Sequence, residues 1–231
     1  MSEIKIIGCG GKGCNTIHRW SCRPLLPAAL LAVHTYEPQL RVIHAPHKLL
    51  IGRKIANGLG TGSVPQIGEM AARENEDDLR EFLRGSRISV IIAGLGGGTG
   101  TGSAPLLAEW SNQEGALTIG AITLPFSAEG PVRCSQARMG LNRIRRICDL
   151  TLISYNDKLV KLAPRMELAH LFLLADTTLK MVTEGIISMT SRKGFSKKAF
   201  HELFPRGTTI HLAVQAPRMR ALPTAVRHFA F

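Results

Sequence analysis

The sequence predicts an α/β protein: a three-layer αβα arrangement around one parallel sheet. Three observations carry that expectation. Apolar, β-branched segments alternate with helical segments along most of the chain, the signature of a parallel sheet covered on both faces. The two clearest strands, residues 4–8 and 88–94, each run into a glycine-rich turn, and ligands of such sheets sit at the carboxyl ends of strands. With 45% hydrophobic and 20% charged residues among 231, the chain can bury a sizeable core.

Each element follows from its local pattern. "IKIIG", 4–8, is a buried strand closed by its first glycine. A short helix is expected over 14–23. "ALLAVHT", 29–35, is the second strand, and "HKLLIG", 47–52, is strand or edge structure. A glycine loop, "NGLGTGSVP", spans 57–65, and a polar helix over 66–85 is stopped by Gly85. "ISVIIAG", 88–94, is the clearest core strand. A helix over 103–114 ends at Gly115, and "ALTIGAITLPF" forms the next strand. A basic helix covers 132–147, "DLTLISYN" is a strand, and a long helix runs over 167–190. After Gly194 the rhythm falters, although "TTIHLAVQA", 208–216, reads as one more strand. The expected division is therefore a main domain over 1–194 and a basic C-terminal stretch over 195–231, too short for a second full domain.

The charge is strongly positive, +12 overall, and uneven. Residues 191–231 hold eight Lys/Arg against one acid, Glu202, and residues 131–147 hold five arginines and no acid. Such a balance fits solvated faces, or attraction to a nucleotide, an anionic lipid surface or an acidic partner. Nucleic acid is not expected, because no aromatic-basic interleaving accompanies the charge. The five cysteines, Cys9, Cys14, Cys22, Cys134 and Cys148, show no pairing pattern, which suits a reducing compartment. The apolar run "PLLPAALLAV" is too short to span a membrane. A cytoplasmic protein is expected.

Two stretches carry chemistry. The first, "IIGCGGKGCN", contains Gly8-x-Gly10-x-x-Gly13, the dinucleotide fingerprint. That fingerprint needs an acid at the end of the next strand, and the nearest one, Glu37, stands beside Pro38 beyond the strand's end. A Walker loop fails too, since Lys12 is followed by Gly13 and Cys14. The second, "AGLGGGTGTGSAP", joins a core strand to a helix start. Its glycines let the backbone approach an anion, Thr99 and Thr101 add hydroxyls, and the helix N-terminus adds its positive end. A di- or triphosphate fits this arrangement.

The run "GGGTGTG", Gly96 to Gly102, resembles the signature of the tubulin/FtsZ family, and similarity to FtsZ extends over most of residues 3–195. The fold implied is that family's Rossmann-like nucleotide-binding domain. The resemblance implies a GTP or GDP pocket. Gly10, Gly11, Lys12, Gly13, Cys14 and Asn15 would form its first phosphate loop, and Gly97, Gly98, Thr99, Gly100, Thr101 and Gly102 its signature loop. "GRKIANGLGTGSVPQIG" looks like the loop near the terminal phosphate. "TLPFSAEGPVR" would supply a ribose-contacting Glu129 and Arg133. "NDKLVKLAP" matches the family closely and adds Asn156, beside Asp157. "LFLLADTTLK" looks like the start of the family's central helix, where Phe172 and Asp176 share one face at i, i+4. There Phe172 would stack on a purine and Asp176 would accept the N1 and N2 hydrogens of guanine, a donor pair that adenine lacks.

Three departures from the family qualify what is implied. Lys12 replaces a glycine and points either to the phosphates or to solvent. His34-Thr35-Tyr36 stands where FtsZ has Asn-Thr-Asp, so an acid that would help hold Mg2+ is missing and no residue of the chain is assigned as a metal ligand. The loop "GFSKKAFHEL" carries Lys197 for an asparagine and Ala199 for the first catalytic aspartate. Glu202 is left as the one catalytic candidate, acting in trans on a neighbour's nucleotide. Lys197 or Lys198 would offer charge to a phosphate instead. GTP hydrolysis is expected to be slow or absent. The second domain and acidic tail of FtsZ are expected to be missing, with the basic stretch in their place and contact with anionic lipid as a side expectation. The functions implied are a GTP-binding cytoskeletal protein of cell division that self-associates head to tail, or a non-assembling regulator of an FtsZ-like filament. A Rossmann-type NAD enzyme is the remaining alternative.

Overall fold

A computed structural model describes residues 2–22, 27–162, 166–190 and 195–212. Seven strands form a single sheet, all parallel, in the order β3-β2-β1-β4-β5-β6-β7. The strands are β1 (Ile4–Cys9), β2 (Ala29–His34), β3 (His47–Leu50), β4 (Ile88–Gly94), β5 (Leu117–Leu124), β6 (Leu150–Tyr155) and β7 (Thr208–Leu212). The central four are buried on both faces, which is why they read as unbroken apolar runs rather than as alternation.

Side-chain alternation splits the core in two. Ile4, Ile6, Val90, Ile92, Ile119 and Leu152 face one layer, made by α1 (Gly10–Ser21), α9 (Leu168–Thr190) and α10 (Lys197–Leu203). Ile7, Cys9, Ile91, Ala93 and Ile122 face the other, made by α4 (Pro65–Glu74), α5 (Glu76–Leu83), α6 (Gly98–Gln113) and α7 (Pro131–Ile147). Among the described residues there are also the short helices α2 (Glu37–Val42), α3 (Arg53–Ala56) and α8 (Asn156–Leu162).

Three expectations need correction. The helices expected at 14–23 and 103–114 begin earlier, at Gly10 and Gly98. Glycine has the poorest helix propensity apart from proline, so these turns read as loop, but packing against the sheet overrides propensity. The polar helix expected over 66–85 is two helices. They part at Asn75 (φ −113°, ψ 29°), whose amide accepts from the Gly52 N–H at 2.9 Å and donates to Asp78 at 3.0 Å. The short helices α2, α3, α8 and α10 were not anticipated.

The same sheet continues past residue 194. β7 pairs with β6, Leu150 to Ser154 against Thr208 to Leu212, and Phe200 of α10 is fully buried in the first core layer. Asp149 anchors this addition. Its fully buried carboxylate accepts from the Thr118 N–H at 2.8 Å and holds Lys197 Nζ at 2.8 Å and His201 Nε2 at 2.9 Å. The rest of the expected last strand and the arginines beyond it, residues 213–231, lie outside the described residues, as do 163–164 of "NDKLVKLAP", residue 165 after it, and 191–194 around Gly194.

Candidate functional site

The sheet order reverses at β1, whose neighbours are β2 and β4. β1 and β4 run side by side, with Cys9 opposite Ala93, so the turns that follow them emerge together. Such a switch point opens a crevice at the carboxyl ends of the strands. Here it is a cleft of about 680 Å3. The N-termini of α1 and α6 both open onto it, which concentrates unpaired N–H groups and two positive helix ends at one place.

The glycines divide into two kinds. Gly10 (φ +69°) makes the turn itself, and a Cβ there would lie 2.8 Å from Gly100 N; the two loops touch. Gly8 and Gly13 instead let α1 pack on the sheet: a Cβ on Gly13 would sit 2.6 Å from Ile92 O. The dinucleotide-like spacing therefore reflects strand–helix packing at two of its three positions. A Cβ on Gly97 would meet nothing within 4 Å, and Gly97 borders the cleft with extended backbone (φ −91°, ψ −179°).

Of the residues expected in the first loop, Gly10, Gly11, Lys12 and Asn15 line the cleft. Gly13 and Cys14 do not. Cys14 is buried behind it, with Sγ 3.4 Å from Val33 O, and burial pushes its thiol above the ordinary range. From the second loop Gly97, Gly98, Thr99 and Gly100 line the cleft, whereas Thr101 and Gly102 do not. Thr101 Oγ1 accepts from the Gly96 N–H at 2.9 Å and so shapes the loop from behind. A Cβ on Gly102 would overlap Pro65 O.

At the far end of the cleft stand Glu129, Arg133, Asn156 and Phe172, all four lining it. Glu129 pairs with Arg133 at 2.5 Å and accepts from the Phe126 N–H at 2.9 Å. Asp157 does not join them. Its carboxylate accepts from the Ser127 N–H at 2.9 Å and from the Ser127 hydroxyl, which holds it below the usual carboxylate range and ties α8 to the turn carrying Glu129. Asn156 is buried, and its Oδ1 is aimed at no protein donor. A buried orphan acceptor on a cleft wall fits a ligand that brings its own donor.

Asp176 is not on the cleft lining. Its carboxylate, 3% exposed, is covered by three groups of α1: Lys12 Nζ at 2.8 Å, Thr16 Oγ1 at 3.0 Å and the Arg19 guanidinium. Lys12 therefore takes neither of its two expected directions. Its ammonium stands 5.0 Å from the centre of the Phe172 ring, at the far end of the cleft. Burial, then the nearby Arg19, pulls this ammonium down to about 7.

The cleft also uses residues that sequence patterns did not single out. Gln39 Nε2 donates to Gly11 O at 3.4 Å and to Asn15 Oδ1 at 3.3 Å, bracing the first loop from α2. Thr35 and Thr99 hydroxyls lie 2.7 Å apart where β2 and the second loop meet. His34 and Tyr36 border the cleft there, and His34 Nδ1 accepts from the Tyr36 N–H at 2.9 Å. No regular spacing marks these positions; they become neighbours only through the β1–β2 pairing. Glu129 is the only acid on the cleft lining among the described residues. The end near His34 and Tyr36 thus supplies no carboxylate to a divalent cation. Glu37, the one acid available to a dinucleotide, pairs instead with Arg41 at 2.9 Å.

Glu202 and Lys197 lie elsewhere. α10 packs at the amino ends of β5 and β6, where Lys197 Nζ reaches Asp149 Oδ2 at 2.8 Å and Ala116 O at 2.7 Å. Lys197 is committed to that anchor. Glu202 is exposed on the same helix. An eight-residue strand such as β5 separates that end from the cleft by roughly 25 Å.

Comparison with known proteins agrees with this fold. The family model described as Tubulin/FtsZ family, GTPase domain, matches residues 3–164. The chain is 43% identical over 189 residues to cell division protein FtsZ 1 of Archaeoglobus fulgidus, covering 82% of this chain and 51% of that protein. It is 39% identical over 202 residues to cell division protein FtsZ 1 of Pyrococcus horikoshii, covering 87% and 54%. An empty FtsZ dimer from M. jannaschii superposes with a TM-score of 0.81 at 37% identity, over 90% of this chain and 62% of that one. CetZ2 from Haloferax volcanii, in a GTPgS-bound protofilament, shares the fold at a TM-score of 0.75 and 20% identity, over 90% and 64%. The chain thus spans about half the length of the curated relatives it matches.

Proposed function

Because the chain belongs to the Tubulin/FtsZ family, we propose that it binds a guanine nucleotide in the cleft at the β1/β4 switch point. It would act as an FtsZ-like cytoskeletal protein of the cytoplasm, with GTP at a head-to-tail contact between copies. The convergence of two helix N-termini, each opened by glycines, on one cleft carries this reading. It is a cradle for phosphates, whose charge meets oriented N–H groups there. The absence of an acid near Glu37 that faces the cleft argues against the dinucleotide alternative.

In the assembly, Glu202 acts on a neighbour's nucleotide. It sits at the opposite end of the sheet from its own cleft, so stacking of copies end to end is the arrangement that brings the two together. Hydrolysis is slow or absent. Ala199 cannot orient water, and Lys197 is held by Asp149. The name of the M. jannaschii FtsZ dimer supports self-association, although that chain is longer than this one. A non-assembling regulator of an FtsZ-like filament is the second reading, favoured by the same loss of acids. Mg2+ would be held mainly through the nucleotide.

Sedimentation with and without GTP, beside phosphate release at several protein concentrations, tests the proposal. Pelleting that requires GTP, with phosphate release near background, is expected. Rapid release that climbs with protein concentration would sink the claim of slow hydrolysis, and a persistent monomer would favour the regulator. Restoring the acid with Ala199→Asp should raise release about tenfold, since correct placement of one catalytic group is commonly worth that much or more.

A further inference from the structure

Lys12, Thr16 and Arg19 recur at i, i+4 and i+7, so they share one face of α1. That face meets the face of α9 carrying Phe172 and Asp176. The Lys12 stem crosses Gly94 at the end of β4, where a Cβ on the glycine would come within 2.6 Å of Lys12 Cβ. The ammonium therefore reaches past the phosphate cradle. It stands 2.8 Å from Asp176 Oδ1 and 5.0 Å from the Phe172 ring centre. The pairing with Asp176 is ionic, without an aligned hydrogen bond. These are the two groups a purine would need, one for its face and one for its edge.

We propose that Lys12 is an internal competitor for the nucleobase. With Lys12 turned inward its ammonium takes the place of the base on Asp176 and Phe172, and base docking requires it to swing away. This rests on the guanine-nucleotide reading of the cleft. A nucleotide held by its phosphates alone reveals nothing of its base, so the chain with Lys12 inward discriminates poorly between guanine and adenine. Only the Lys12-outward state presents the carboxylate that distinguishes them. The apparent affinity for a guanine nucleotide is reduced by the fraction of molecules in which that state is populated. Arg19 and Thr16 keep Asp176 partnered when Lys12 leaves, so its departure does not strand a buried charge.

The test is equilibrium binding of GDP and ADP to the full chain, to Lys12→Ala and to Lys12→Ala/Asp176→Asn, with thermal melts to confirm folding. Removing the lysine should tighten GDP by at least about tenfold, a change of about 1.4 kcal/mol, and leave ADP within about threefold because adenine lacks the donor pair. The double variant should lose the gain. Should Lys12→Ala fail to fold, Lys12→Met keeps the stem, removes the charge and is judged by the same ratio of GDP to ADP affinity. GDP affinity that is unchanged would overturn the proposal while leaving the nucleotide site standing. Equal gains for GDP and ADP would reduce Lys12 to a volume filler, and weaker GDP binding would make it a phosphate ligand; either result overturns the proposal. If no variant binds any guanine nucleotide, the reading of the cleft falls and the proposal with it.

Discussion

The two ends of the cleft are built on opposite terms. At the end proposed for the phosphates the chain withdraws: Gly10, Gly97, Gly98 and Gly100 carry no side chains, and two helices begin there. At the base end it fills the space itself, with Lys12 between Asp176 and Phe172 and with Glu129 closed on Arg133. On the proposed reading, one end is organised before the nucleotide arrives and the other is reorganised by it. Phosphates are thus expected to supply most of the affinity, while the base supplies a selectivity that costs the displacement of Lys12.

The largest effect should come from breaking the open end. Gly97→Val places a side chain where nothing lies within 4 Å, on backbone that any residue adopts. Nucleotide affinity should fall roughly hundredfold or more, about 2.7 kcal/mol, with the melting temperature little changed. Unaltered binding would mean that this loop does not face the phosphates. Gly98→Ala differs in kind. Its Cβ would overlap Thr61, so both stability and binding should fall, the former by about 1–3 kcal/mol.

The closed end is sharpened by pH. Burial and Arg19 bring the Lys12 ammonium down to about 7 from the ordinary lysine value of 10.5. The folded state therefore releases this proton first. Between pH 7 and 10.5 the unfolded chain binds more protons, so this residue's contribution to stability rises with pH across that window. A neutral amine also holds Asp176 less tightly. GDP affinity should rise roughly threefold between pH 6 and 8 and stay flat in Lys12→Ala. A profile identical in both proteins would assign the pH dependence to another group. Away from the cleft, Glu69 gives the smallest effect. Hydrogen bonds from Arg143 and Arg73 hold its carboxyl down to about 2, linking α4 to α7. That contribution is present above the unfolded carboxyl value of 4.5 and is lost as pH falls towards 2. Arg143→Ala should flatten the acid limb of the stability curve in that range.

The same contrast explains what was legible in the sequence. The alternation of buried strands and helices gave the parallel sheet, because a strand covered on both faces must be apolar throughout. "GGGTGTG" marked the open end, because a cradle made of missing side chains is written as glycine. Helix starts were missed at Gly10 and Gly98 for that very reason: glycine runs have no helical propensity to read. The closed end was only half legible. Phe172 and Asp176 announce a shared face by their spacing, but their occupation by Lys12, 164 residues away from Asp176 in sequence, depends on how α1 and α9 pack. The anchoring of α10 and β7 by Asp149 was missed likewise, since a lone aspartate before a strand carries no pattern.

On this reading the cleft takes a guanine nucleotide chiefly through its phosphates. Calorimetric titration of the full chain with GDP, ADP, NAD and guanosine tests it most directly. One GDP per chain is expected, with ADP weaker, guanosine much weaker than either, and NAD without measurable heat. NAD binding in the absence of GDP binding, or guanosine binding as tightly as GDP, would contradict it.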